Sequence, residues 1–342
     1  MAVLKTGRIF QEDETPSGGG GSLSNESQSN SGAQSQPQCL EPARPVSRQL
    51  RRFGLATLVL ALCFGIPLWD LTQFACHSQF HSYILLIPFI SVYLAWLKKR
   101  SFPVCSQPVR KTASMFLMAG TVVLAAYWLF LRNRLKLMED DYLAVMMISF
   151  LLFFLGICAR FLGKEVLRAT AFPLGMLIFM VPIPAIAMPP IDAFLQHGSA
   201  AAAQGFFSLA GTPFLRTGLA FQLPNITIQV APECSGIQSS MVLLITGLVA
   251  GFLFLRKPWN RILLALLMIP LGLLRNGFRV FTIGELCVHI GPRMIDSPIH
   301  HKGGPIFFAL SLIPLFILLL VLQKIERPKG KPRPPGTKAG QA

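Results

Sequence analysis

Residues Ile237–Leu255 read IQSSMVLLITGLVAGFLFL. From Met241 onward the run carries no charge, and Arg256 and Lys257 follow at once. A helix on a soluble core keeps one polar side, whereas a helix surrounded by lipid is apolar all round and needs roughly 20 residues to cross the hydrocarbon. The stretch therefore reads as a membrane span. The same criterion marks Phe53–Trp69, Tyr83–Leu97, Ala113–Leu131, Tyr142–Cys158, Thr170–Pro184, Ile262–Leu274 and Pro305–Leu322. The expectation is an all-α membrane protein, a polytopic helical bundle of about eight transmembrane helices. Composition agrees, since 52% of the 342 residues are hydrophobic and 13% are charged, a balance that suits lipid better than a soluble core.

Charge orients these spans. The net charge of +16 would suggest nucleic acid in a soluble protein, but here the cations flank apolar runs, so they are read as topology signals and nucleic-acid binding is not expected. With Arg48/Arg51/Arg52, Lys98–Arg100, Arg110/Lys111, Arg160/Lys164/Arg168 and Arg256/Lys257/Arg261 all cytoplasmic, the first four spans alternate. A further apolar stretch, Ile191–Ala210, holds Asp192, Gln196, His197 and Gln204. A full crossing there would move Arg256 and Lys257 outside, against the charge rule, so it reads as a re-entrant or surface-lying helix. Gly218–Gln222 and Thr227–Val230 flank Pro224–Asn225 and read as a short β-hairpin, which must sit in water or against protein because lipid satisfies no open strand edge. The excursion is expected on the extracytoplasmic side.

Residues 1–47 are low-complexity Gly/Ser/Gln/Asn sequence without a cleavable signal pattern and are expected to be a disordered cytoplasmic tail. Residues 48–323 form the membrane domain, and 324–342 a basic cytoplasmic tail. Seven cysteines are scattered without a CxxC pair, which argues against zinc or thioredoxin chemistry. Cys63 and Cys158 lie in apolar runs and read as inert packing residues.

Three segments fall on the extracytoplasmic side of this topology. The first, Gln229–Gln238, reads QVAPECSGIQ and sets Cys234 ahead of the Ile237 span. A thiol at a helix start faces free N–H groups and the positive end of the dipole, which favour thiolate. The plainer reading is a capped helix start with Ser235 as cap and Cys234 as filler, and the local residues alone favour it slightly. The second segment, RNGFRV, puts Arg275 and Arg279 at i, i+4 at the outer end of the next span. Arginines there either anchor the membrane border or line a polar cavity. The third, SPIHHKGGPIFF, carries His300 and His301 before the last span; each alone reads first as a solvated loop residue. Together the three supply a nucleophile, a cation for an oxyanion and a base active near neutral pH, the set needed for acyl transfer. Glu233 opposes a thiolate and is expected to pair with an arginine, Arg275 being the nearest choice.

ECSGIQSS leading into a span, RNGFRV closing the next and HHKGG opening the last resemble the exosortase/archaeosortase family. The segment CHSQFHSYILLIPFISVYLAWLKKR is similar to the N-terminal half of that family. The resemblance covers roughly Phe53–Leu322. It implies a multi-pass cysteine protease or transpeptidase of the bacterial inner membrane, active on the extracytoplasmic face. Its substrates would be exported proteins ending in a sorting signal, that is, a Pro-Glu-Pro-like motif, one span and a basic tail. The family pattern puts the nucleophile at Cys234, the arginine of an Asn-x-x-Arg context at Arg279 and the histidine at His300, with Arg275 and His301 as alternates. A thioester would let a surface polysaccharide compete with water as acceptor. Membrane lipid is the surrounding partner, and no metal or organic cofactor is expected.

Two other readings use the same residues. A transporter or exopolysaccharide-export component would use inward-facing Arg and His to hold an anion, but the halves of the chain show no convincing inverted repeat. An intramembrane serine protease would use Ser235, yet it would need a histidine inside an apolar run, and His289 borders a loop.

Overall fold

The computed structural model describes residues 46–78, 81–99, 109–131, 138–224, 226–230, 236–291, 293–294 and 303–326. The chain is an all-α membrane protein with one small sheet. Its helices are α1 (Val46–Cys63), α2 (Gly65–His77), α3 (Ile87–Leu97, entered through a 3-10 turn at Ser82–Leu86) and α4 (Arg110–Ala126). They continue with α5 (Glu139–Phe161), α6 (Gly163–Ala169), α7 (Ala171–Met176) and α8 (Met188–Ala210). After the sheet come α9 (Ile237–Phe254), α10 (Pro258–His289) and α11 (Gly304–Glu326).

The described residues do not supply all of the expected eight crossings. Among the described residues five helices are long and apolar enough to cross a membrane, or six if α1 and α2, bent by 70°, form one broken span. The expected Phe53–Trp69 span runs through that bend. Tyr83–Leu97 and Thr170–Pro184 fall on shorter helices, Ser82–Leu97 and Ala171–Met180. A sum over apolar side chains does not register a helix break, which is a property of backbone hydrogen bonding. Nor does it register which way a side chain points: Cys158 is buried, but Cys63 lies exposed on the outer surface of α1.

Two apolar cores hold the bundle. In one, α2, α3 and α5 close on Leu71, Ile84, Ile87, Leu94, Leu143 and Met147. In the other, α9, α10 and α11 close on Leu243, Leu264, Met268, Leu315 and Leu319. Large apolar side chains such as Leu58, Phe89, Met118, Leu266 and Leu320 stay exposed, as a lipid-facing surface requires.

Helix α10 organises the second half. Its 32 residues make it about 48 Å long against a hydrocarbon layer of about 30 Å. Its first half runs antiparallel to α9: Gly251 faces Arg261 and Leu264, Gly247 faces Met268, Ser240 faces Gly272 and Gly236 faces Asn276. Its second half runs parallel to α8, with Gly277 against Ser199, Ala202 and Ala203, and Gly284 against Phe207. The expected Ile262–Leu274 span thus does not end at RNGFRV; the helix continues to His289.

The three strands β1 (Leu215–Thr217), β2 (Ala220–Leu223) and β3 (Ile226–Gln229) pair antiparallel in the order β1-β2-β3. Phe221 opposes Arg216 and Ile228. One face of the sheet buries Phe221, Leu223 and Ile228 with Phe207 of α8 and Val280 of α10. The α8 helix has 23 residues but is not among the helices apolar enough to cross.

The bundle has two chemically different ends. Glu326 at the end of α11 accepts hydrogen bonds from the N–H groups of Arg256 and Lys257, at 2.7 and 2.9 Å, and from Asn260 Nδ2 at 2.9 Å. Lys98 and Arg261 lie over the Phe252 ring at that end. Phe172, just after Arg168, stacks on the same ring at 4.2 Å. The basic clusters of three separate loops are therefore gathered at the Glu326 end.

Candidate active site

The site is built at the other end, where α9 starts. Gly236 is its N-cap, with φ 75° and ψ 20°. The cap is therefore not the expected Ser235. The Gly236 carbonyl accepts the Ser240 N–H and the Ser239 hydroxyl, both at 2.9 Å. A left-handed cap favours glycine, and here a second constraint acts: a Cβ on Gly236 would lie 2.8 Å from both Cγ and Oδ1 of Asn276. Gly236, where α9 begins, is thus pressed against Asn276 of the Arg275–Val280 segment.

Within that segment Arg275 and Asn276 are buried and Arg279 is half-buried. Arg275 Nη2 donates to the Ser239 hydroxyl, and Asn276 Nδ2 donates to Ser199 Oγ at 3.0 Å. Asn276 is therefore a brace between α8 and α10 as well as the floor under Gly236. Helix α11 reaches the same level: its Phe307 meets Phe278 edge-on at 6.3 Å. Gly303 caps it, accepting the N–H groups of Ile306 and Phe307 at 3.0 and 3.1 Å.

Of the residues expected to act, Arg275 and Arg279 are described and stand one turn apart on α10. Cys234, His300 and His301 lie outside the described residues, as does Glu233 with its expected arginine pairing. The described flanks of all three segments nevertheless converge: Gly236 on Asn276, and Phe307 on Phe278.

His81 joins this neighbourhood. It is 3% exposed, its Nδ1 lies 3.1 Å from Ser78 Oγ, and its ring packs on Phe74 at 4.8 Å. It shares a tight crevice with Met188, Ile237, Gln238 and Met241, and the next residue, Ser82, accepts a hydrogen bond from Gln238 Nε2 at 2.9 Å. Burial pushes the His81 pKa below its ordinary value, and the charge of Asp140 partly opposes that. The sequence offered a signal in the CHSQFHSY likeness, but only the fold shows the histidine resting on the first turn of α9. Ser199 and Ser239 carried no signal, since serines in small-residue helices usually pack without function. Among the described residues no cluster of His, Cys, Asp or Glu could hold a metal ion.

A family model, described as Transmembrane exosortase (Exosortase_EpsH), matches residues 69–317. That interval contains Gly236, both arginines of α10 and the start of α11. The chain belongs to the transmembrane exosortase family. No curated protein and no solved structure matches it. For an exosortase chain the geometry reads directly: a buried cationic turn, a helix N-terminus resting on it, and a second helix start one ring contact away.

Proposed function

We propose that the chain is a membrane-embedded cysteine peptidase or transpeptidase that cleaves C-terminal sorting signals of exported proteins. The observation that carries this reading is the 2.8 Å approach of a Gly236 Cβ to Asn276. Cys234 precedes Gly236 by two residues, and two residues of chain span at most about 7 Å, which supports a thiol close to the Arg275–Arg279 turn. His300 stands three residues ahead of Gly303, whose helix packs on Phe278.

In the proposed reaction the Cys234 thiol gives its proton to the imidazole of His300, with His301 as the alternate base. Sulfur attacks the scissile carbonyl carbon, a C–S bond forms, and the carbonyl π pair moves to oxygen. Arg279, in the Asn-x-x-Arg context, offsets that oxyanion charge, with Arg275 the alternate. The oxyanion collapses, the C–N bond breaks, and the imidazolium protonates the leaving amine. Water, or a nucleophile such as a polysaccharide hydroxyl, then opens the thioester.

The gathering of basic loops at the Glu326 end supports placing that end in the cytoplasm. The site then faces the extracytoplasmic side of a bacterial inner membrane, together with the sheet and the second half of α10. The test is coexpression with a protein whose tail carries a Pro-Glu-Pro-like motif, a span and a basic cluster. Processing should stop with Cys234→Ala and fall strongly with Arg279→Ala. Undiminished processing by Cys234→Ala would leave a transport or export role as the better account.

A further inference from the structure

The proposed reaction assigns the oxyanion to Arg279 and keeps Arg275 only as its alternate. Arg275 is 6% exposed. Nη2 is spent on Ser239, while Nε and Nη1 have no hydrogen-bond partner among the described residues. None of the described carboxylates forms an ion pair with it. The residue is not a border anchor either. It stands 17 residues into α10, the helix continues to His289, and its side chain is buried against α9 through Ser239 rather than extended along the helix surface. A buried guanidinium with unmet donors lowers the stability of the empty protein. It sits beside the first turn of α9, whose N–H groups add further positive potential.

We propose that Arg275 is the receptor for a carboxylate of the substrate, an acidic side chain one or two residues from the scissile bond. The inference rests on the peptidase reading and on Arg279 serving the attacked carbonyl. Arg275 and Arg279 are one helical turn apart, about 5.4 Å along the axis. An extended peptide advances about 3.4 Å per residue. A peptide whose scissile carbonyl lies at Arg279 therefore presents a side chain one or two positions away to Arg275. Helices α9 and α10 are close beside the guanidinium, since a Cβ on Gly272 would lie 3.0 Å from Ser240 Oγ, so a small planar carboxylate is the anion that would need the least movement of the two helices. A lipid phosphate with its esters is the bulkier rival.

The experiment reconstitutes the full chain in phosphatidylcholine vesicles with test proteins whose tails differ only in Pro-Glu-Pro, Pro-Gln-Pro or Pro-Lys-Pro ahead of the span. The wild type should prefer the Glu tail over the Gln tail by roughly 30- to 1,000-fold in kcat/KM, as loss of a buried charge partner requires. Arg275→Gln should erase that preference, the Glu tail losing far more kcat/KM than the Gln tail, and it should raise the thermal midpoint of the substrate-free protein. Arg275→Lys should keep part of the preference, and Arg275→Glu should move it to the Lys tail. Equal losses on the Glu and Gln tails with Arg275→Gln would mean a structural role and overturn the proposal. Loss of the Arg275 effect on a Glu233→Gln background would mean the anion is internal, with the same consequence. Stimulation by phosphatidylglycerol that needs Arg275 but ignores the tail residue would assign the site to a lipid headgroup instead. Tails processed equally by Cys234→Ala would remove the peptidase reading itself, and the carboxylate receptor with it.

Discussion

Substituting Gly236 by alanine isolates the contact that joins the two halves of the site. Two separate costs arise. The backbone at φ 75° is left-handed, which costs an L-residue about 1–2 kcal/mol. The new Cβ would also lie 2.8 Å from Asn276 Cγ and Oδ1, too close to persist. Asn276 cannot simply swing away, because it is 1% exposed and its Nδ2 bonds Ser199 Oγ at 3.0 Å. Moving it breaks a buried hydrogen bond, which costs roughly 1–3 kcal/mol. The sum is about 2–5 kcal/mol. Gly211 provides the control: its φ is 74°, and nothing lies within 4 Å of its Cβ position, so Gly211→Ala carries the backbone cost alone. Thermal and urea unfolding of the full chain in detergent gives both numbers. The difference between the variants reads the Asn276 contact. Processing activity should fall for Gly236→Ala, because the turn behind Cys234 must shift, and should hold for Gly211→Ala. Equal destabilisation with full activity in both would show that the α9 cap does not rest on α10 tightly enough to position a nucleophile.

Two further outcomes follow from named contacts. A Cβ on Gly277 would lie 2.5 Å from Ala202 Cβ, 2.8 Å from the Ser199 carbonyl oxygen and 2.9 Å from the Ala203 nitrogen. Backbone atoms cannot rotate away, so Gly277→Val should destabilise by about 3 kcal/mol or more, read as a lowered thermal midpoint; a midpoint within experimental error of wild type would contradict the α8–α10 packing. For His81 the folded pKa lies below the unfolded value of 6.5, so the unfolded state binds the proton more readily. The contribution of His81 is fully present above about pH 6.5 and is lost as pH falls through the folded value. His81→Gln should therefore flatten the acid limb of the stability profile between pH 7 and pH 5, and parallel limbs for the two proteins would count against a buried neutral histidine.

Much of the bundle was legible because lipid selects on one property over a fixed length. Ala113–Leu131, Tyr142–Cys158, Ile237–Leu255 and Pro305–Leu322 correspond to α4, α5, α9 and α11. The misreadings share a cause: hydropathy reports what surrounds a side chain, not whether the backbone continues. Phe53–Trp69 is apolar across a 70° bend. Conversely, Arg275 ends an apolar run while the helix carries on, because α8 supplies a protein surface at Gly277 and Gly284 that lipid would not. At the site, Arg275 and Arg279 could be named from residue type. The roles of Ser199 and Ser239 could not, since each acts through a partner 77 or 36 positions away, and the place of His81 beside Ile237 and Gln238 is set by the fold.

The level at which the cationic turn sits follows from helix lengths. Helix α9 has 18 residues, and an antiparallel neighbour starting at Pro258 has used 18 residues on reaching Arg275. Both distances are about 27 Å, close to the hydrocarbon thickness. The start of α9 at Gly236 and the Arg275–Asn276 pair therefore lie at the same level, about one hydrocarbon thickness from the Pro258 end. Beyond that level α10 exchanges α9 for α8 and the sheet as partners. The arginines thus lie where the α9–α10 pair gives way to α8 and the sheet, at the depth where, on the proposed reading, a membrane-anchored peptide would meet both a cation and the edge of water. On that reading a site deeper in the bundle would deny water to a thioester, and one further along α10 would lie beyond the start of α9.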